Sequence, residues 1–253
     1  MVKGQAVIIR HNILTEDIRD MVVHFPEAAR LAQPGQFLSV YCDDSSRLLP
    51  RPISICEIDR EEGTLRMVYR IVGGGTEEFS RKKVGDKLEV MGPLGHGFQM
   101  KEGRAFLIGG GIGIPPVLEL ARQLKGPKTI ILGYRDRIFL KEEFEPYGKV
   151  YVATEDGSAG TKGTVLDAIL ENELEGDILY ACGPVPMLKA LAEYAEKKGM
   201  EAQISLEERM ACGIGACLGC VCRSKEVDHH TNVRNKRVCK DGPVFDAREV
   251  EFI

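Results

Sequence analysis

The sequence predicts an α/β protein with an added β domain: a small antiparallel β-barrel over 1–100, a parallel α/β domain over 101–205 and a cysteine-rich domain over 206–253. Three observations carry this. Short β-like segments separated by turn residues fill the first hundred positions. Strands alternate with helices after about residue 101, and five of the eight cysteines crowd into the last stretch. At 253 residues, 43% hydrophobic and 28% charged, the chain suits one large domain or two to three small ones, and disordered, collagen-like and low-complexity architectures are excluded.

In the first unit, Leu65, Met67, Tyr69 and Ile71 alternate with Arg66, Val68 and Arg70, the period of two that turns one face of a strand to a core. Turn signals at Pro34-Gly35, Glu62-Gly63, Gly73-Gly74-Gly75, Val84-Gly85-Asp86 and Gly92-Pro93 punctuate the segments. Many short strands without a long helix predict an antiparallel barrel or sandwich.

The second unit opens with Ala105-Phe106-Leu107-Ile108, a buried-strand signal running into a glycine-rich turn. A helix follows, with Val117, Leu120, Ala121 and Leu124 on one face and proline in its first turn, where the missing N–H costs nothing. Further strands are predicted at Thr129–Gly133, Lys149–Ala153 and Asp177–Ala181, with a helix from Thr164 and another from Pro186 to Lys198 that stops at Gly199. Alternating strands and helices imply a parallel sheet.

The last unit is too small to hold itself together by a core, so an inorganic centre is the expected staple. Its cysteines are spaced Cys212-x4-Cys217-x2-Cys220-x18-Cys239. A C-x4-C-x2-C run with a distant fourth cysteine is the plant-type pattern for a [2Fe-2S] cluster, in which each of two irons takes two thiolates. Gly213, Gly215 and Gly219 let the loop curl so that backbone N–H groups face the sulfurs. A zinc site would pair two C-x2-C knuckles, and Cys239 has no near cysteine to make the second. Cys222 is an alternative third ligand, although the x2 spacing favours Cys220. Cys42 and Cys56 read as core residues, and His229-His230 as a solvated loop.

Gly111-x-Gly113-x-x-Pro116 follows a strand and opens a helix, the context of a dinucleotide phosphate site. Pro116 replaces the third glycine of the usual fingerprint, so a tight turn that binds nothing is the competing reading. Cys182-Gly183-Pro184 repeats the strand–turn–helix arrangement, and two such turns at one sheet edge would line a crevice. In Arg51-Pro52-Ile53-Ser54 the arginine could pair with a phosphate and the serine donate to a ring atom; a surface arginine stiffened by prolines is the plainer reading. Gly73-Gly74-Gly75-Thr76 is either a hairpin turn or a set of backbone N–H groups presented to pyrophosphate.

A net charge of -4 leaves no basic footprint for nucleic acid. The longest uncharged apolar stretch, Ala105 to Leu118, is broken by glycine and proline and falls short of the roughly 20 residues of a membrane helix. Met1-Val2-Lys3-Gly4-Gln5 has no apolar signal region. A cytoplasmic protein with neither a nucleic-acid nor a membrane partner is expected, and in that reducing compartment the cysteines read as metal ligands.

Taken together and in order, Arg51 to Ser54, Gly75-Thr76, Gly92-Pro93-Leu94-Gly95-His96-Gly97-Phe98, Gly109 to Pro116 and Cys182-Gly183-Pro184 resemble the ferredoxin-reductase superfamily. With Glu208 to Cys220 and Val238 to Phe245 added, the whole chain resembles the electron-transfer subunits of NAD-dependent, type B dihydroorotate dehydrogenase. The resemblance implies an FAD-binding barrel, an NAD-binding α/β domain and a [2Fe-2S] domain. It implies FAD contacts at Arg51, Pro52, Ile53, Ser54, Val68, Tyr69, Arg70, Gly75 and Thr76, and cluster ligands at Cys212, Cys217, Cys220 and Cys239. NAD, as co-substrate, is expected at Gly111, Gly113, Cys182 and Gly183. Many superfamily members carry Tyr or Phe where Ile53 stands, which makes Tyr69 the alternative ring-stacking residue.

No side chain is assigned a catalytic role. A nicotinamide exchanges a hydride and a [2Fe-2S] centre single electrons, and a flavin converts between them. The resemblance implies that electrons from dihydroorotate, oxidised at FMN in a separate catalytic subunit, reach NAD+ through the cluster and FAD, in pyrimidine biosynthesis. A heterotetramer with two copies of each subunit is expected, docked through apolar surface near the cluster. The chain has no room for a catalytic TIM barrel, which alone takes about 250 residues. The competing readings are an NAD(P)H:ferredoxin-type reductase, or a subunit of another redox complex, and a zinc-stabilised binding module. Arg135 and Arg137 could meet a 2′-phosphate, or pair with Asp136 or Glu142, so residues alone leave NAD against NADP open.

Overall fold

The structure is a computed structural model that describes residues 1–227 and 232–252. The pair His229-His230 lies outside the described residues. The first unit contains β1 (Val2–Ile13), β2 (Ile18–His24), α1 (Pro26–Leu31), β3 (Phe37–Val40), β4 (Arg51–Asp59), β5 (Thr64–Arg70), α2 (Gly74–Ser80) and β6 (Lys87–Leu94). Its six strands close into an antiparallel barrel in the order β1-β2-β5-β4-β3-β6. Closure removes free sheet edges. Ile8, Met21, Leu38, Ile55, Leu65 and Met67 fill the interior.

The alternation read in β5 places Leu65, Met67 and Tyr69 in the barrel core, yet the other face is buried as well. Val68 packs into the core of the α/β domain, and Arg66 enters an ion-pair cluster beneath it. A period of two separates the faces of a strand; it does not say that the second face meets water. The glycines at 73–75 do not form a hairpin turn: α2 begins at Gly74. Cys56 is buried at the junction with the α/β domain, whereas Cys42 lies beyond the end of β3 and is only partly buried.

The second unit comprises β7 (Ala105–Gly110), α3 (Pro115–Gln123), β8 (Lys128–Tyr134), α4 (Lys141–Phe144), β9 (Lys149–Thr154), β10 (Thr161–Lys162), α5 (Val165–Glu171), β11 (Ile178–Cys182), α6 (Val185–Lys198) and β12 (Glu201–Ser205). Local signals set its boundaries. The Thr164 side chain accepts from the Asp167 N–H at the start of α5, and Gly199 ends α6 in the left-handed conformation. The last stretch adds β13 (Val221–Arg223), β14 (Asn235–Arg237) and β15 (Val244–Asp246).

The sheet order is β10-β9-β8-β7-β11-β12-β15, parallel throughout except that β15 runs antiparallel to β12. The cysteine-rich stretch therefore supplies an edge strand to the α/β sheet. From β7 the chain proceeds to β8 on one side, and from β11 to β12 on the other. The strand order reverses between β7 and β11, and the crevice outside their carboxyl ends is where such sheets bind ligands. Among the described residues, no helix is long and apolar enough to cross a membrane.

Candidate cofactor and cluster sites

A cleft of about 1010 Å³ runs along the barrel wall and is lined by Arg51, Pro52, Ile53, Ser54, Val68, Tyr69, Arg70 and Thr76. Gly75 is buried beside it: a Cβ there would stand 2.4 Å from Arg51 Nε, so the guanidinium can lie across the start of α2 only because residue 75 has no side chain. Arg47 lies over Gly74 in the same way, 3.0 Å from the position of a Cβ, and is held by Glu78 at 2.8 Å. Two guanidiniums thus lie over one helix start, a donor set suited to phosphate oxygens. Sequence reasoning passed over Arg47, whose only signal is its i,i+4 spacing from Arg51.

The Thr76 hydroxyl is occupied within the turn. It accepts from the N–H of Val72 at 3.0 Å and of Gly73 at 3.3 Å and donates to the Gly73 carbonyl at 3.0 Å. Tyr69 is 3% exposed and meets Phe79 edge-on, with ring centroids 6.3 Å apart. Its hydroxyl stands 3.2 Å from His11 Nε2, while His11 Nδ1 lies 2.8 Å from the Lys82 carbonyl. A carbonyl only accepts, which assigns the proton of a neutral His11 to Nδ1 and makes Tyr69 the donor to Nε2. The ring thus packs into the barrel end, with little face free for stacking. The far wall is Ser205 to Met210 and Pro243, which sequence reasoning did not place at this cleft because they arrive from distant chain.

A second cleft of about 930 Å³ lies at the reversal of strand order, lined by Gly110, Gly111, Gly133, Pro184 and Met187. Gly111 has φ +55 with open space where a side chain would be, so its backbone is available to a ligand. Gly113 serves packing: a Cβ would stand 2.4 Å from the Cys182 carbonyl oxygen. Gly183 likewise faces Met187, and Cys182 is buried, so the turn after β11 reaches the cleft through Pro184. Arg135 and Arg137 line the outer end; Arg137 pairs with Glu16 of the barrel at 3.5 Å, not with Asp136 or Glu142. Arg70 lines both clefts and is held by Asp17 at 3.1 Å.

The cysteine loop begins two residues beyond Met210 of the first cleft. Its thiols fall into two pairs. Cys212 and Cys217 have sulfurs 3.3 Å apart, and the Cys239 N–H donates to Cys220 Sγ at 3.4 Å. Backbone donors face them: the Gly215 N–H reaches Cys239 Sγ at 3.2 Å, and the Cys217 N–H reaches Cys212 Sγ at 3.4 Å. Arg237 steadies the loop by donating to the Gly215 carbonyl at 3.1 Å.

Burial raises the Cys212 thiol, but the N–H groups of Cys217, Ile214 and Ala216 together with the Cys217 thiol outweigh it and bring it down to about 6. Burial and the neighbouring Cys220 push Cys239 up to about 12. Cys222 turns away toward the Lys236 carbonyl, 3.5 Å distant. Two thiol pairs facing backbone N–H groups fit a two-iron cluster with one pair per iron. Among the described residues, no three His, Cys, Asp or Glu gather around a single point to hold one metal ion.

Comparisons with known proteins agree with this arrangement along the chain. Residues 5–98 match the oxidoreductase FAD-binding domain and 107–193 the oxidoreductase NAD-binding domain. Residues 207–251 match the iron-sulfur cluster binding domain of dihydroorotate dehydrogenase B. The chain is 50% identical over 233 residues, 87% of each chain, to the electron transfer subunit of dihydroorotate dehydrogenase B (NAD(+)) from Fusobacterium nucleatum. It is 44% identical over 261 residues, 99% of each, to the subunit of the same name from Bacillus cereus. A solved NADH-dependent reduced ferredoxin-NADP oxidoreductase superposes with a TM-score of 0.88 at 32% identity, covering 98% of this chain and 90% of that one. The barrel, the reversed-order sheet and the thiol loop are thus FAD-binding, NAD-binding and iron–sulfur domains of one oxidoreductase subunit, and the chain belongs to the family of dihydroorotate dehydrogenase B (NAD(+)) electron transfer subunits.

Proposed function

We propose that this chain carries electrons to NAD+ from a separate, FMN-containing subunit that oxidises dihydroorotate, in the cytoplasm, as a step of pyrimidine biosynthesis. Two copies of each subunit would form the working assembly. The observation that carries the reading is the contact between the thiol loop and the barrel cleft. Met210 lines the cleft two residues before Cys212, and Phe37 lines it while packing in one core with Cys220 and Cys239.

Arg47 and Arg51 would hold the diphosphate of FAD over the start of α2, with Ser54 and Arg70 along the ring portion of the cleft. Gly110 and Gly111 would admit the NAD phosphates to the crevice at the end of β7. Cys212, Cys217, Cys220 and Cys239 would hold a [2Fe-2S] cluster, their backbone donors favouring thiolate. The bound groups supply the conversion between hydride and single-electron transfer. Ile214 and Leu218, the latter 70% exposed, stand out of the thiol loop as the docking surface for the catalytic subunit. The division into 1–100, 101–205 and 206–253 assigns one group to each part.

The test is co-expression with a candidate FMN subunit. NAD+ reduction by dihydroorotate should require this chain and vanish with Cys217→Ser. Equal NAD+ reduction without the chain would refute the reading. The 32% identity to a ferredoxin-NADP oxidoreductase supports a second reading, a ferredoxin-linked reductase, which co-purification of a different partner and ferredoxin-dependent turnover would select.

A further inference from the structure

Among the described residues, one buried side-chain polar atom has no hydrogen-bond partner: the hydroxyl of Ser39. Ser39 is 1% exposed. Leaving a hydroxyl buried and unpaired costs about 1–3 kcal/mol, and natural folds seldom keep one without use. Its position suggests the use. On β3, Leu38 and Val40 point into the barrel, while Phe37 points outward into the core shared with Cys220 and Cys239. The pleat therefore turns Ser39 outward with Phe37, toward the thiol loop.

The loop comes down directly onto it. A Cβ on Gly213 would stand 2.8 Å from Ser39 Oγ, 3.5 Å from Leu94 and 3.8 Å from Met91, so the loop backbone packs against the hydroxyl. Gly213 also has φ +70, a conformation that favours glycine, so the backbone next to Cys212 is shaped for this approach. On its other side β3 pairs with β4, Ser39 opposite Pro52 of the FAD cleft, so the hydroxyl stands in the wall between the two sites.

We infer that Ser39 donates a hydrogen bond to a sulfur of the iron–sulfur cluster, from the barrel side of the thiol loop, and thereby raises the cluster's reduction potential. This rests on the assignment of the four cysteines as ligands. A donor stabilises the reduced, more negative cluster more than the oxidised one, because the interaction grows with charge on the acceptor. Ser39 is a positioning and tuning residue that leaves ligation intact.

The experiment compares wild-type holoprotein with Ser39→Ala at matched iron and acid-labile sulfide content, reading the midpoint potential and the exchangeable-proton couplings of the reduced cluster by pulsed paramagnetic resonance after exchange into D2O. The one-electron equilibrium should shift about tenfold against reduction in Ser39→Ala, a fall of about 59 mV, and one exchangeable coupling should disappear. Ser39→Thr and Ser39→Val form a second pair of equal shape with and without the hydroxyl, and the threonine protein should have the higher potential. A fully loaded alanine protein with the wild-type potential and couplings overturns the inference, as does a Thr/Val pair with equal potentials. Wild-type protein lacking iron and sulfide removes the ligand assignment and the inference with it, an outcome distinct from a loaded cluster indifferent to Ser39.

Discussion

The sulfur of Cys212 sits among backbone N–H groups that, together with the Cys217 thiol, outweigh its partial burial, and Cys239 sits in a drier position against Cys220. Folding therefore lowers one thiol and raises the other, and the two differ in reactivity when the metal is absent. Because the Cys212 thiol ionises near pH 6, it is largely thiolate at neutral pH and is protonated as pH falls through 6; Cys239, near 12, stays protonated throughout. In iron-depleted protein, iodoacetamide followed by peptide mass mapping should label Cys212 ahead of Cys239 at pH 7, at a rate that falls as the pH is lowered through about 6. Labelling of Cys239 ahead of Cys212 at pH 7 would contradict this. The ligand set was legible because all four cysteines lie in one 28-residue stretch, where spacing encodes geometry. Ser39 and Arg47 were not, because a serine in a strand or an arginine in a loop carries no periodic signal, and only the approach of Gly213 and Gly74 gives each a role.

The interface between barrel and α/β domain is organised by β5. Arg66, 6% exposed, donates to Asp20 of β2 at 2.7 Å and Glu57 of β4 at 2.5 Å, and also pairs with Glu143 of α4. Glu119 of α3 extends the network by accepting from the Ile58 N–H at 3.0 Å, and Arg122 joins Glu119 at 3.0 Å to Glu57 at 3.1 Å. A buried charge deprived of its partner costs about 3–5 kcal/mol. Arg66→Ala leaves Asp20 buried with only a long contact to Arg10, whereas Glu57 and Glu143 reach solvent, so the expected loss is about 3 kcal/mol. Urea unfolding reads it as a lower midpoint, and a midpoint equal to wild type would show that the network contributes nothing. The alternation in β5 was readable, but what the second face meets was not, because a one-dimensional pattern cannot know that another domain covers it and buries Arg66. The helix α2 was missed for a related reason: two leading glycines resemble a turn, and the arginines that cover them are elsewhere in the chain.

At the scale of the whole molecule, the cysteine-rich stretch is continuous with the α/β sheet. β15 pairs with β12, burying Val244 and Phe245, while His96 of the barrel donates its backbone N–H to the Gly242 carbonyl at 2.6 Å. The same segment thus joins barrel and sheet and brings Pro243 to the wall of the FAD cleft. Ending the chain after Ser205 uncovers the edge of β12. Burial of the valine and phenylalanine is worth roughly 1.5–3 kcal/mol each, and at about 2–4 °C per kcal/mol the thermal midpoint of the shortened chain should fall by about 10 °C. Calorimetry giving an unchanged midpoint would mean that the cysteine-rich stretch is a mere appendage.

The order of barrel, alternating sheet and thiol loop could be read from the chain because each rests on local physics: a period of two, a helical stripe, glycine and proline at turns, and four sulfurs at close spacing. The clefts could not. Their walls combine segments as far apart as Arg51 and Glu208, or Asp17 and Met187, and which surfaces meet depends on sheet order, on β15 joining β12, and on glycines that let a neighbouring chain approach. Those contacts are long-range in sequence, so no window of residues records them, and the burial of Arg66, the poise of Ser39 and the sharing of Arg70 between two sites follow from the folded packing alone.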